Sequence, residues 1–235
     1  MVSEIMLQQT QAPRVVPKYL AFMKAFPTMR ALANASAREV LAHWSGLGYN
    51  RRALNLHRLA KHLVETRRGA LPKTHAELVA LPGIGPYTAG AIMAFAFNLP
   101  HPVLETNIRT VYIHHFFPHQ TQVPDSALME KVTETLDTKR AREWYWALMD
   151  YGAHLKTTVG NVSTQSKTYT KQSPFKNSDR AIRGAILKTL LTHPAQSTRA
   201  LTQKTKATDT RVKAQLQNLA REGFIKRTGT TWSLS

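Results

Sequence analysis

The sequence predicts a mainly α protein that ends in a small winged helix. Three observations carry this. Apolar residues up to about Gly152 recur at spacings of three and four. Period-two alternation is almost missing from the same stretch. Beyond about Ser178 the pattern becomes three helical segments and then an alternating hairpin.

Along the chain, Val16, Leu20, Met23 and Phe26 form the first amphipathic stripe, which is assigned to the core. Segments 37–44, 53–67 and 74–81 read as helices in the same way. Pro27, the Gly46-Leu47-Gly48 turn, Gly69, Pro72 and Pro82 punctuate them. Residues 1–155 are read as one helical domain. Residues 156–178 are read as a basic polar linker carrying Lys156, Lys167, Lys171 and Lys176 with no acidic residue. It is either a solvated loop or a strap that tracks a polyanion.

Residues 179–235 are read as the winged helix. Ser178-Asp179 supplies its first N-cap, and Ile182, Ile186, Leu187 and Leu190 its first buried face. Helices starting at Ser197 and Asp209 follow. The strands 224–227 and 231–234 then flank a turn at Gly229. The helix from Asp209 offers Arg211, Lys213 and Gln215, residue types that meet phosphates and base edges. The other use of such a module is protein contact.

Composition narrows the partner. With 43% hydrophobic residues in 235, the chain can bury a core. Its 32 lysines and arginines against 14 acidic residues give a net charge of +18. Such self-repulsion is usually offset by a polyanion, nucleic acid first and an anionic membrane surface second. No apolar run approaches the roughly 20 residues that span a bilayer, and no secretory leader is read at the start. A cytoplasmic, nucleoid-associated protein without a membrane partner is expected. The sequence has no cysteine, which excludes disulfides, thiolate metal sites and cysteine-held iron–sulfur clusters. His114, His115 and His119 have no acidic partner nearby, so they are read as a solvated loop rather than a metal site.

The most informative run is residues 81–92, Leu-Pro-Gly-Ile-Gly-Pro-Tyr-Thr-Ala-Gly-Ala-Ile. Gly83 and Gly85, separated by Ile84, permit a tight turn and close approach of another backbone. Pro86 suits the first turn of the next helix, and Ala89, Gly90 and Ala91 permit close helix packing. N–H groups at that helix start would hold a phosphate, with Thr88 beside them. A plain helix–helix turn is the alternative reading.

This run resembles the hairpin of the helix-hairpin-helix DNA glycosylases. Residues 3–11, Ser-Glu-Ile-Met-Leu-Gln-Gln-Thr-Gln, are similar to the N-terminal motif of the adenine glycosylase (MutY) branch. Gly46–Tyr49 with Arg51, Arg52, Ala53, Asn55 and Leu56, then 102–111, then 149–153, resemble its later motifs in order.

The resemblance implies a monofunctional base-excision glycosylase acting as a monomer on duplex DNA with a mismatch or lesion. It would flip out and hydrolyse off an adenine opposite guanine or 8-oxoguanine. Thymine opposite guanine, or another damaged base, is an alternative target, and a non-catalytic DNA or abasic-site binder is another reading. Glu4 is implied as the acid that protonates the leaving purine. Glu105 is implied as the carboxylate that stabilises the sugar cation, and it also suits the start of the following helix. Asn107 would order the loop around it. Tyr87 stands where a lysine would add lyase chemistry. Gln9 and Tyr49 match residues that wedge into the duplex, and Arg51 and Arg52 suit phosphates. No cofactor is implied beyond, as an alternative, a monovalent cation at the hairpin.

The sequence departs from the family at four places. Glu105 replaces an aspartate. The cluster cysteines expected after Ala153 are replaced by His154, Leu155, Lys156 and Thr157. The winged helix replaces a NUDIX-like reader of 8-oxoguanine. Glu4 lacks the helix that precedes it in relatives, so another element must pin it or the natural chain starts earlier.

Overall fold

The computed structural model describes residues 1–235. It divides into two compact units, one of residues 71–171 with Met1, the other of residues 2–70 and 172–235.

The second of these starts with five helices, α1 (Val2–Leu7), α2 (Ala12–Ala25), α3 (Met29–Asn34), α4 (Ala37–Trp44) and α5 (Arg51–Arg67). Thr28 caps α3, and a Ser36–Glu39 capping box starts α4. α5 is the central helix, burying Ala53, Leu54, Leu56, Leu59, Ala60 and Leu63. Arg68 and Gly69 end it with left-handed backbone. The stripe expected on α2 is corrected. Val16 and Leu20 are exposed, Phe26 is buried as expected, and Val15 and Phe22 complete the buried face. Both stripes fit a helix of that period, and the edge-to-face contact of Phe22 with Trp44 decides between them.

The same unit ends in α11 (Asp179–Thr192), β1 (Gln196–Ser197), α12 (Thr198–Thr205), α13 (Asp209–Arg221), β2 (Ile225–Thr228) and β3 (Thr231–Leu234). The strands form an antiparallel sheet in the order β1-β3-β2, with Thr228 opposite Thr231. Three helices and this hairpin are the elements expected of a winged helix. Ser178 and Ser197 cap their helices as expected. Arg38 donates to the carbonyls of Leu190 and Leu191 at the end of α11. Arg51 of α5 and Arg183 of α11 converge on Glu222 at 2.9 and 2.7 Å.

The unit of residues 71–171 contains α6 (His75–Val79), α7 (Pro86–Ala91), α8 (Thr106–Phe116), α9 (Asp125–Thr135) and α10 (Ala141–Thr158). A π-helical turn over Ile92–Ala96 extends α7, and a 3-10 turn spans Val162–Gln165. α8 lies against α10, and Ile108, Val111, Tyr112, Tyr145, Leu148 and Leu155 share one core. α10 runs to Thr158, past the boundary expected at 155. The next residues return to the unit's body. Ser166 bridges to Val123, and Thr168 donates to Asp125 at 2.9 Å. His114 and His115 are the last turn of α8 rather than a loop, and His115 hydrogen-bonds Tyr151 at 2.9 Å.

Candidate active site and DNA interface

The hairpin joins α6 to α7. Gly83 takes φ +75°, the conformation that needs glycine. Gly85 is instead extended, at φ −91°, and a Cβ there would meet nothing within 4 Å. Its role is therefore an open, exposed backbone rather than a left-handed turn. Pro86 opens α7 and Tyr87 is exposed, whereas Thr88 is buried among Ala89, Gly90 and Ala91. The His75 ring N–H donates to the Pro86 carbonyl at 3.1 Å and stacks on His101 at 4.2 Å. Gly90 makes room for that ring, since a Cβ would stand 2.9 Å from His101 Nδ1.

The loop after His101 delivers Glu105. The Tyr145 hydroxyl donates to the His101 carbonyl at 2.9 Å and accepts from the Val103 N–H at 3.0 Å. Burial pushes the Tyr145 phenol up to about 12, so it stays a neutral donor and acceptor. Glu105 is the N-cap of α8, and its Oε1 accepts from the N–H groups of Asn107 and Ile108. Burial raises the Glu105 pKa; those N–H groups and Lys156 oppose the rise without cancelling it. Asn107 orders the carboxylate through its backbone. Its side-chain Oδ1 accepts from the Lys156 ammonium. Gly152 lies against this turn, where a Cβ would stand 2.2 Å from the Asn107 carbonyl oxygen.

Sequence reading missed Lys156 as a site residue because it sits in a stretch that reads as linker. One signal was available. Lys156 is four residues after Gly152, and such residues share one helix face.

The other candidates lie in the second unit. Glu4 is half-buried on α1. Arg52 pins this helix. Its guanidinium donates to the carbonyls of Ile5, Met6 and Gln8, to Thr10 Oγ1 and to the Gly48 carbonyl. Burial lowers its pKa to about 10, and it remains charged at neutral pH. The donors expected to meet a phosphate are spent here on the α1 carbonyls, which lack intrahelical donors at a helix end. Arg51 is exposed beside Glu222.

Gln9 and Tyr49 both have left-handed backbone, at φ +58° and +46°. Gln172 donates to Gln9 Oε1 at 3.3 Å and to the Tyr49 hydroxyl. Arg180 donates to that hydroxyl at 2.9 Å and lies over the ring, with Arg52 also 5.5 Å from the ring centroid. A cavity of about 1010 Å³ opens here, with Arg14, Arg51, Arg180, Arg183 and Lys188 in its walls. On α13, Arg211 pairs with Asp179 at 2.6 Å and Lys213 with Asp209. Gln215, grouped with them from sequence, is buried.

A glycine hairpin entering a small-residue helix, then a half-buried carboxylate heading the next long helix, defines the helix-hairpin-helix repair class. Residues 2–137 match the HhH-GPD superfamily of base excision DNA repair proteins, and the chain belongs to this family. An adenine DNA glycosylase of Mycobacterium tuberculosis is 30% identical over 97% of this chain and 82% of its own length. One from Buchnera aphidicola is 40% identical over 74% of this chain, which spans about half of that relative, 52%. Among solved structures, a thermostable thymine-DNA glycosylase matches with TM-score 0.56 and 24% identity, over 65% of this chain and 71% of that one. Endonuclease III trapped covalently on DNA matches with TM-score 0.52 and 18% identity, over 74% and 76%. At these identities the two structures speak for the fold.

Proposed function

We propose that this chain is a monofunctional DNA glycosylase that hydrolytically removes adenine opposite guanine or 8-oxoguanine. The observation that carries the reading is Glu105. A half-buried carboxylate, raised in pKa by desolvation and held by two backbone N–H groups, is expensive to maintain for capping alone. The adenine glycosylases matched above supply the target base.

In the proposed reaction Glu4 gives a proton to the leaving purine. The bond from C1′ to the base nitrogen breaks, and its electron pair leaves with the base. The Glu105 carboxylate stabilises the positive charge left on the sugar. Water adds to C1′, loses a proton and leaves an abasic hemiacetal. Tyr87 has no amine for a Schiff base, so the strand stays intact. Gly83, Gly85 and Arg51 would hold phosphates, and Gln9 and Tyr49 would fill the space left by the flipped base. Thr88 is buried and would support the hairpin from inside. Arg211 and Lys213 would reach phosphates only by exchanging their present carboxylates for them.

The test is base release from labelled duplexes carrying A opposite G, A opposite 8-oxoguanine, T opposite G, or uracil. Glu4→Gln protein runs alongside, and products are read with and without alkali. Adenine release that needs Glu4, with strand breaks only after alkali, is expected. No release, with tight binding to an abasic-site analogue, would replace the reading by a non-catalytic DNA-binding role.

A further inference from the structure

We propose that Lys156 is a positioning residue for Glu105, its ammonium holding the carboxylate ionised and the head of α8 in place. The inference rests on the reading of Glu105 given above and adds a residue to it.

Three geometric observations point the same way. Lys156 differs from the other lysines of its stretch, since Lys167, Lys171 and Lys176 are exposed and it is half-buried. Its ammonium donates to Asn107 Oδ1, on the residue whose own N–H donates to Glu105. Gly152, one turn earlier on α10, lets the two helices approach closely enough for this reach. Burial pulls the Lys156 pKa down, and the Glu105 charge opposes that.

The physical need is clear. A carboxylate taken out of water pays a desolvation cost that grows as its surroundings become drier. Two backbone N–H groups and a helix start repay part of it. A cation is the remaining source of compensation, and Lys156, held on Asn107, is the one whose charge acts on Glu105. On α8 itself, Arg109 is turned to Asp125 of α9 and to Ser166. The 3-10 turn at 162–165 brings no charge. His101, upstream, is bonded to the Pro102 carbonyl and kept neutral chiefly by burial. Lys156 stands in the stretch His154–Thr157, where the family resemblance expects cluster cysteines. Here that stretch supports the site by charge.

The test uses the full chain with 13C-labelled glutamate carboxyls, Glu105 being the resonance missing from Glu105→Gln protein. In Lys156→Met the Glu105 titration is expected to move to higher pH, and in Lys156→Arg to return toward wild type. Single-turnover adenine release should follow, with the acid limb of its pH profile moved up. At the acid end the rate should fall about tenfold, with duplex affinity unchanged. If Lys156→Met does not fold, Lys156→Gln keeps a donor for Asn107 without the charge and is read the same way. Coincident Glu105 titrations in wild type and the neutral variant would overturn the proposal. If wild type releases no base, the functional reading fails, while the carboxyl titration still judges Lys156.

Discussion

Replacing Gly152 by alanine should damage stability and base release together, although alanine is the better helix former. The helix preference favours alanine by about 1 kcal/mol. Against it, the new Cβ would stand 2.2 Å from the Asn107 carbonyl oxygen, 2.6 Å from its carbon and 2.9 Å from its Cβ. Two of these are backbone atoms in the first turn of α8, so no side-chain rotation relieves them. The turn must retreat by about 1 Å to restore ordinary contact. Overpacking of this kind costs about 1–3 kcal/mol, which leaves a net loss of up to about 2 kcal/mol. The same turn carries Asn107 and is capped by Glu105, so the displacement reaches the candidate carboxylate directly. Misplacement by about 1 Å can cost 10²-fold in rate. Urea unfolding and single-turnover release from A opposite 8-oxoguanine read the two effects. An alanine protein as stable and as fast as wild type would refute the reasoning about this contact.

Other substitutions separate the remaining supports. Arg52→Ala should cost about 3 kcal/mol in urea unfolding, because it orphans the carbonyls at the end of α1; loss of only DNA affinity would return Arg52 to the phosphates. Tyr145→Phe should cost about 1–2 kcal/mol in the same assay, since it leaves the Val103 N–H without its acceptor. Glu105→Gln should be inactive yet gain on wild type in stability as pH rises. The sign follows from the raised pKa of folded Glu105. Below the unfolded carboxylate pKa both states hold the proton. Above the folded value the native state bears the cost of the buried charge, which glutamine escapes. Stability curves of the two proteins that stay parallel across the acid range would contradict this. Tyr87→Lys should add strand cleavage without alkali, trapped by borohydride as a covalent product.

The sequence by itself determined the helical class, the hairpin at 81–86, the winged-helix order of the last segment and the motif positions. These are local properties. Gly83 needs a backbone that only glycine adopts easily, Ser178 and Ser197 cap where their hydroxyls meet free N–H groups, and apolar spacing marks each buried face. Glu105 as a cap was likewise legible, since a carboxylate before a helix start is a local signal. What only the tertiary structure decided depends on residues far apart in the chain. α2 had two plausible faces, and Trp44 chose the one with Val15, Phe22 and Phe26. Arg51 and Arg52 are neighbours with the same charge, yet one is exposed and the other spends its donors on carbonyls 44 or more residues away. Tyr49 gained its clamp from Gln172 and Arg180, and Lys156 changed from one basic residue among several into the partner of Asn107. A side chain's charge is written in the sequence; the acceptor it meets is set by which helices the core brings together.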